Sequence, residues 1–303
     1  MFNKKQIAMI GLSKDLLAYQ TGDRIDTISS YTESYDTSRG VVQEAFNTLE
    51  DEKAIKRSKR GTLGTYLTEI DYIKLWKYTL ETISGVSPLP YTKKHEGIAT
   101  AIYKEMEKNE IPFHFAYMQG AENRIQGVIT GKYNFAILSK SAAVELVKDY
   151  DVSIAMEFAD YSYLSGYVYL YTDENVFDRK KLRVGRDLSS PDHTKWMEIL
   201  AREKEIEVEY IDIQYTRMVP AIIEGKIDLT IYNKDTVDKP GIFTGVSFRE
   251  VEANPGIGNE CRAVLVVCNE FPGISNLLKQ IIDEKEVALV QQEVIEGKRV
   301  PVY

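Results

Sequence analysis

Twice in this chain an amphipathic helix ends at a glycine, passes through a lysine and runs straight into an apolar strand. The first case spans Gly120 to Gly131, then Lys132, then Tyr133-Asn134-Phe135-Ala136-Ile137. The second spans Tyr215 to Gly225, then Lys226, then Ile227-Asp228-Leu229-Thr230-Ile231. A glycine just past a helix supplies the left-handed conformation that stops it. Short apolar strands alternating with helices build α/β sheets. Two copies of one unit therefore predict two similar α/β lobes around a cleft. The chain has 303 residues, which at about 100–200 residues per domain leaves room for both lobes and a further small domain.

The alternating texture fills residues 83–303. Strands are expected at 83–88, 112–118, 133–138, 152–158, 165–172, 182–186, 206–213, 227–232, 243–251 and 261–268. Helices are expected at 95–108, 121–130, 139–148, 192–204, 215–225 and 273–290. Tyr161, Tyr163, Tyr167, Tyr169 and Tyr171 alternate along one stretch, reading first as one face of a strand that crosses between lobes, with an aromatic ligand platform as the alternative. In two-lobed α/β receptors the ligand lies between lobes, at strand C-terminal ends and helix N-termini, where free N–H groups favour anions. Three segments fall at such places: Tyr91-Thr92-Lys93-Lys94, Ser139-Lys140-Ser141 and Ser189-Ser190-Pro191-Asp192. Gln119-Gly120 and Tyr232-Asn233-Lys234 are expected to line the same cleft. Each hydroxyl alone reads equally well as a helix cap; their presence in both halves favours a cleft. The expected ligand-binding set is Tyr91, Thr92, Lys93, Gln119, Ser139, Lys140, Ser189, Ser190 and Asn233.

Ahead of this domain the pattern changes. Residues 6–20 read as a helix, Arg24-Ile25 as the start of a short strand, and Thr27 to Tyr35 as a short helix. A third helix is expected from Ser38 to Glu52, with Val41, Val42, Ala45, Phe46 and Leu49 as its inward stripe and Arg39, Gln43, Glu44 and Asn47 outside. Ala54 to Ser58 and Leu63 to Leu67 read as a hairpin turning at Lys59-Arg60-Gly61-Thr62. Three helices and a hairpin make a winged helix, whose third helix enters the major groove and whose wing touches backbone or minor groove. Arg39 suits guanine; Gln43 and Asn47 suit adenine. Lys56, Arg57, Lys59 and Arg60 suit phosphates or the minor groove, with Ser38 and Gly61 beside them. The boundaries expected are 1–68 for the winged helix-turn-helix domain, 69–82 for a helical connector and 83–303 for the two-lobed domain. The connector's stripe (Ile70, Ile73, Trp76, Leu80) can pack on either domain or on a second subunit.

Charge agrees with this division. The net charge of −8 argues against a nucleic-acid binder throughout, but residues 1–70 hold ten basic and ten acidic side chains. Within them, Lys53 to Arg60 carries five positive charges and no negative one. A compact basic patch on a neutral domain fits local DNA contact. No apolar run approaches the ~20 residues of a membrane span, and the start lacks a signal-peptide cleavage site, so a cytoplasmic protein is expected. Cys261 and Cys268 are expected to be buried thiols on opposite faces of one strand. His95, His114 and His193 show no metal-ligand spacing, and GxSxG, Walker and GxGxxG motifs are absent, so neither metal nor cofactor is expected.

The stretch Thr37-Ser38-Arg39-Gly40-Val41-Val42-Gln43-Glu44-Ala45-Phe46-Asn47-Thr48-Leu49-Glu50-Asp51-Glu52 resembles the recognition helix of GntR-type winged-helix regulators. Lys59-Arg60-Gly61-Thr62-Leu63-Gly64-Thr65-Tyr66-Leu67 resembles their Gly-Thr-aromatic wing. Leu63 to Leu67, Pro88-Leu89-Pro90-Tyr91-Thr92 and Glu96-Gly97-Ile98-Ala99 look most like the YhfZ-type branch. In that branch such a head precedes a domain similar to type-2 periplasmic binding proteins. Two departures stand out: Thr27-Ile28-Ser29-Ser30 replaces the usual Leu-Pro-Ser, and Gln43 stands where many members carry arginine. The resemblance implies an α/β chain with a winged helix-turn-helix and a two-lobed effector domain. Its expected function is a DNA-binding transcriptional regulator, a homodimer on double-stranded DNA, controlled by a small, anionic metabolite. An enzyme built on the two-lobed scaffold is the alternative.

Overall fold

The computed structural model describes residues 3–237, 243–251 and 260–302, without the side chains of 191–193. The head begins with α1 (Lys4–Leu16), β1 (Arg24–Ile25), α2 (Ile28–Ser34) and α3 (Arg39–Asp51). It ends with β2 (Ile55–Lys59) and β3 (Thr65–Ile70), and its sheet has the order β1-β3-β2. Each helix starts where a side chain accepts a free N–H: Asn3 caps α1, Thr27 caps α2 and Ser38 caps α3. Leu12, Leu16, Val42, Phe46, Leu49 and Leu67 are fully buried between them.

The expected connector differs in two ways. β3 runs on to Ile70, and the helix that follows, α4, is only Tyr72–Thr79, capped by Asp71. Its stripe is consumed within the chain, since Leu75 and Trp76 are buried in a core shared by the head and the first lobe.

The first lobe contains β4 (Ile83–Ser87), α5 (Lys93–Lys108), β5 (Phe113–Tyr117), α6 (Ala121–Ile129), β6 (Phe135–Ser139), α7 (Lys140–Leu146) and β7 (Val152–Glu157). The chain then crosses to the second lobe for β8 (Tyr167–Tyr171), β9 (Lys181–Arg186), α8 (Pro191–Lys204), β10 (Glu207–Asp212), α9 (Met218–Ile223), β11 (Thr230–Asn233), α10 (Lys234–Val237) and β12 (Ser247–Glu250). It returns as β13 (Ala263–Cys268) and closes with α11 (Pro272–Ile281) and α12 (Glu284–Ile295).

The two sheets are copies. The first has the order β5-β4-β6-β13-β7, with β4 parallel to β5 and β6 and β13 antiparallel to β6 and β7. In the second, β9 is parallel to β10 and touches the approach to β11 through a parallel Val184–Leu229 bridge, while β8 runs antiparallel to β11 and β12. The repeat is visible in single atoms. Gly131 and Gly225 end their helices at φ +70° and +68°. Three residues later Asn134 and Asp228 play one role: each donates its N–H to a neighbouring strand, to Ser84 of β4 or to Arg183 of its counterpart β9, and accepts that residue's N–H on its side chain.

Some expectations need correction. The helix expected at 215–225 is a 3-10 turn, Tyr215–Arg217, followed by α9. The helix expected at 273–290 is two helices, because Ile282 is extended and Asp283 caps a new start. Cys261 and Cys268 are buried thiols, but Cys261 precedes β13 and packs in the second lobe, whereas Cys268 packs in the first. Of the alternating tyrosines, only Tyr167, Tyr169 and Tyr171 share a strand; Tyr161 and Tyr163 lie in the crossing segment. That segment binds its returning counterpart, since Tyr163 and Leu164 both donate their N–H to the Cys261 carbonyl. No helix among the described residues is long and apolar enough to cross a membrane.

Candidate functional site

Two surfaces carry chemistry. On the head, α3 exposes Ser38, Arg39 and Asn47, with Gln43 half-buried. Arg39, Gln43 and Asn47 are four residues apart and share one helix face. Gln43 Nε2 donates to Asn47 Oδ1 at 2.8 Å, so the amides present one joined polar edge. At the hairpin tip Gly61 adopts φ +56°, a left-handed conformation that a glycine takes at no steric cost. Lys59 and Arg60 stand exposed beside it, and the Arg60 guanidinium lies 4.5 Å over the Tyr66 ring.

Arg57 does not join them. Its guanidinium pairs with Glu50 at 2.6 Å and lies 4.1 Å over the Phe46 ring, with the side chain only 8% exposed. Arg57 is therefore a strut between the hairpin and α3, and its hydrogen bond, with its charge behind it, holds the Glu50 carboxyl below its ordinary range against the cost of burial. Lys56 is exposed but paired with Glu69 at 2.8 Å. Arg24 is a cation the sequence reading passed over. Its strand pairs with β3, and a side chain on Gly64 would meet its Nε at 2.6 Å, so it lies against the root of the wing. Among the described residues Arg24, Arg39, Lys59 and Arg60 make no ion pair.

The second surface is a cavity of about 100 Å3 between the lobes. It collects the C-terminal ends of the parallel strands: Pro88 follows β4, Gln119 follows β5, Ser139 ends β6, Ser190 follows β9, Tyr215 follows β10 and Asn233 ends β11. Open α/β sheets bind ligands at this edge. The N-termini of α5, α6, α7 and α8 open there as well, with Thr92, Gly120, Ser139 and Ser190 at their cap positions. Thr92 and Ser139 act as caps, accepting N–H groups of His95 and Ala142, which leaves each hydroxyl proton for another partner.

Of the expected residues, Tyr91, Thr92, Gln119, Ser139, Ser190 and Asn233 line the cavity, and Lys93, Lys140 and Ser189 do not. Lys93 pairs with Glu96 and Lys140 with Glu157, each held away by its carboxylate. Ser189 turns its hydroxyl onto Asp187 and touches Gly120 across the gap. Its carbonyl also accepts the Glu122 N–H at 3.2 Å, so the lobes are in contact.

Arg124, His95 and Tyr163 line the cavity without having been expected to. Arg124, 3% exposed, donates Nε to the Ile137 carbonyl, Nη1 to the Met118 carbonyl and Nη2 to the Tyr163 hydroxyl. Among the described residues no carboxylate lies within ion-pair distance of it. His95 stacks edge-on against Tyr163, and neither ring nitrogen has a partner of good geometry. Burial, reinforced by the Arg124 charge, pushes its pKa down to about 3. The cavity thus holds one permanent cation and one neutral imidazole. Among the described residues no group of three or more His, Cys, Asp or Glu side chains could hold a metal.

A helical DNA-recognition head on a two-lobed α/β body defines the class, and residues 20–67 match the model of a helix-turn-helix domain. Residues 71–303 match the model of the YhfZ C-terminal domain, and the chain belongs to that family. The YhfZ protein of Escherichia coli (strain K12) is 26% identical over 302 residues, covering 99% of this chain and 98% of that one. The crystal structure of YhfZ from Shigella flexneri, 24% identical, superposes with a TM-score of 0.64 over 77% of this chain and 98% of that one. A periplasmic substrate-binding protein of an ABC transporter from Coxiella burnetii, 9% identical, gives a TM-score of 0.48 over 73% of this chain and all of that one (100%).

Proposed function

We propose that this chain is a ligand-controlled transcriptional regulator that takes a small anion between its lobes and binds DNA as a homodimer through GntR-like heads. The observation that carries the ligand half is Arg124, a buried cation with protein carbonyls for company and an open cavity beside it. A carboxylate or phosphate supplies the charge-assisted partner that the protein withholds. Converging helix N-termini add to the attraction. The DNA half rests on the unpaired cations Arg24, Arg39, Lys59 and Arg60 beside the Gln43–Asn47 edge.

Two heads would address half-sites about 34 Å apart. Because α4 packs into the core shared by head and first lobe, ligand closure works by moving the second lobe rather than by bending the connector. A coupling of about 1–3 kcal/mol between anion and operator is the expected size. An enzyme on the same scaffold predicts turnover instead.

The test has two parts. Orthophosphate and small mono- and dicarboxylates are screened for a rise in melting temperature, in the wild type and in Arg124→Met. At least one should stabilise the wild type and none the variant; equal stabilisation of both removes the anion site. DNA from the chain's own promoter region is then titrated at two salt concentrations against random competitor, with and without the stabilising anion. Binding that survives competitor, weakens with salt and shifts with anion is the expected result. An operator affinity unchanged at saturating anion overturns the coupling.

A further inference from the structure

The interlobe cavity is enclosed by lobes that already touch. Beside the Glu122–Ser189 hydrogen bond, Glu260 of the returning segment accepts the Ser141 hydroxyl of α7 at 3.3 Å and the Lys195 ammonium of α8 at 2.8 Å, which ties first lobe to second. The volume of about 100 Å3 is therefore what a ligand finds after closure. A cavity of about 150 Å3 takes benzene, so this smaller one holds an occupant of about six non-hydrogen atoms at most.

The polar groups whose direction the fold fixes there are donors. Arg124 spends one N–H on each of Ile137, Met118 and Tyr163, and the guanidinium keeps one N–H on each terminal nitrogen. Thr92 and Ser139 keep their hydroxyl protons, because their oxygens accept the N–H groups that cap α5 and α7. From the second lobe, Asn233 Oδ1 accepts the Asp235 N–H at 2.8 Å, which fixes the amide and leaves its NH2 for the cavity that it lines. All four side chains are at most 9% exposed. Leu89, Ala142 and Leu164 give the same space an apolar wall.

Negative charge is what this lining lacks. Among the described residues no Asp or Glu lines the cavity. Acids close by in sequence are committed to the protein: Asp187 accepts the N–H groups of Ser189 and Tyr215, Asp235 that of Ser165, and Glu122 the Tyr150 hydroxyl. A ligand ammonium would be buried beside Arg124 without a counter-charge, which is costly.

Resting on the anion site proposed above, we propose that its ligand is a short 2-oxo acid, of the glyoxylate and pyruvate class. The carboxylate takes the remaining Arg124 N–H groups and the Thr92 and Ser139 hydroxyls, the oxo oxygen takes the Asn233 NH2, and the carbon end meets Leu89 and Leu164. Every oxygen of such an acid accepts, as these donors require. Orthophosphate fits less well, since at neutral pH it keeps a proton that needs an acceptor and has no carbon for the apolar wall. The α-amino acid of the same skeleton is rejected, because an unpaired ammonium stands where the oxo acceptor was.

Pyruvate, L-alanine, orthophosphate and phenylpyruvate are titrated by calorimetry into the full chain and into Asn233→Asp. That substitution keeps the acceptor for the Asp235 N–H and sets a carboxylate oxygen where the NH2 stood. The wild type should bind pyruvate saturably, with L-alanine and phenylpyruvate weaker by about tenfold or more. Asn233→Asp should lower the ratio of pyruvate to alanine affinity by about tenfold or more. Alanine or phenylpyruvate bound as tightly as pyruvate, phosphate bound more tightly, or an unaltered ratio in the variant overturns the 2-oxo acid and leaves the anion site standing. No binding of any of these, with no stabilisation by any anion of the earlier screen, removes the anion site and this ligand with it. Should Asn233→Asp fail to fold, the wild-type contrast among the four probes decides alone.

Discussion

Burying an arginine without a carboxylate is costly, and Arg124 is held there by two backbone carbonyls and one phenol. The imidazole beside it answers by staying neutral: His95 has its pKa pushed from 6.5 down to about 3. A histidine neutral in the fold but protonated in the unfolded chain makes the unfolded state bind more protons as pH falls. Its contribution is therefore fully present above the unfolded pKa near 6.5 and is lost progressively as pH drops toward 3. At pH 5 the loss from His95 alone amounts to about 2 kcal/mol, and it is the same whether the folded value is 3 or a unit higher. His95→Gln should cancel that share. Urea unfolding at pH 7 and pH 5 checks it, and a variant that loses as much stability as the wild type between the two would place the acid sensitivity elsewhere. Arg124 had left a sign in the sequence. It interrupts the buried stripe of Ala121, Ile125 and Val128 on α6, one helical turn after Gly120, and a charge on an inward face needs a reason. Hydroxyls at helix starts carry the plainer local signal, although Thr92 and Ser139 already serve as caps.

Among the elements, the wing shows how one extra residue reassigns a charge. β2 pairs Lys56 with Glu69 but Arg57 with Leu67, so Thr68 is a bulge on β3. Arg57 thereby shares a face with fully buried Leu67 and reaches α3, where it meets Glu50 and Phe46. From sequence the run Lys53 to Arg60 looks uniformly outward, because a bulge has no local signature and the partner of Arg57 lies on another element. The helices of the head were legible because their caps and apolar stripes are local, and the Gly-Lys junctions were legible because they occur twice. Two variants separate the roles. Arg57→Ala should lower stability by about 2 kcal/mol, by removing a largely buried pair and a cation–π contact, as read by thermal unfolding. Arg60→Ala should leave stability unchanged within about 0.5 kcal/mol and reduce the salt slope of DNA binding by about one. Arg39→Ala should cost about 1–3 kcal/mol on the cognate site and relax its sequence preference. An Arg57→Ala protein as stable as wild type, or an Arg60→Ala protein with an unchanged salt slope, would return Arg57 to the DNA face or remove Arg60 from it.

At the scale of the molecule the head is built into one lobe. Leu12, Leu16 and Leu17 join Trp76, Ile274 and Leu277 in a single core, and Asn276 donates to the Leu17 carbonyl while Gln280 bonds both Tyr72 and Asp71. Nothing local in the sequence announces this seam, since Leu17 and Gly273 belong to opposite ends of the chain and each reads as an ordinary surface or helix-start residue. Gly273 is a point of close approach. A methyl there would stand 2.6 Å from Leu17 Cβ and 3.0 Å from its carbonyl carbon, and backbone on one side cannot yield as a flexible side chain does. Gly273→Ala should therefore pry α11 from the head at a cost of about 2 kcal/mol. If head and first lobe open as one cooperative unit, amide exchange in α1 and in α11 should accelerate together, by about thirtyfold, while α8 in the second lobe keeps its protection. Acceleration confined to α1 would mean that the head opens on its own. In that case movement of the second lobe would have no rigid path to the recognition helix, and a flexible connector would have to carry the signal.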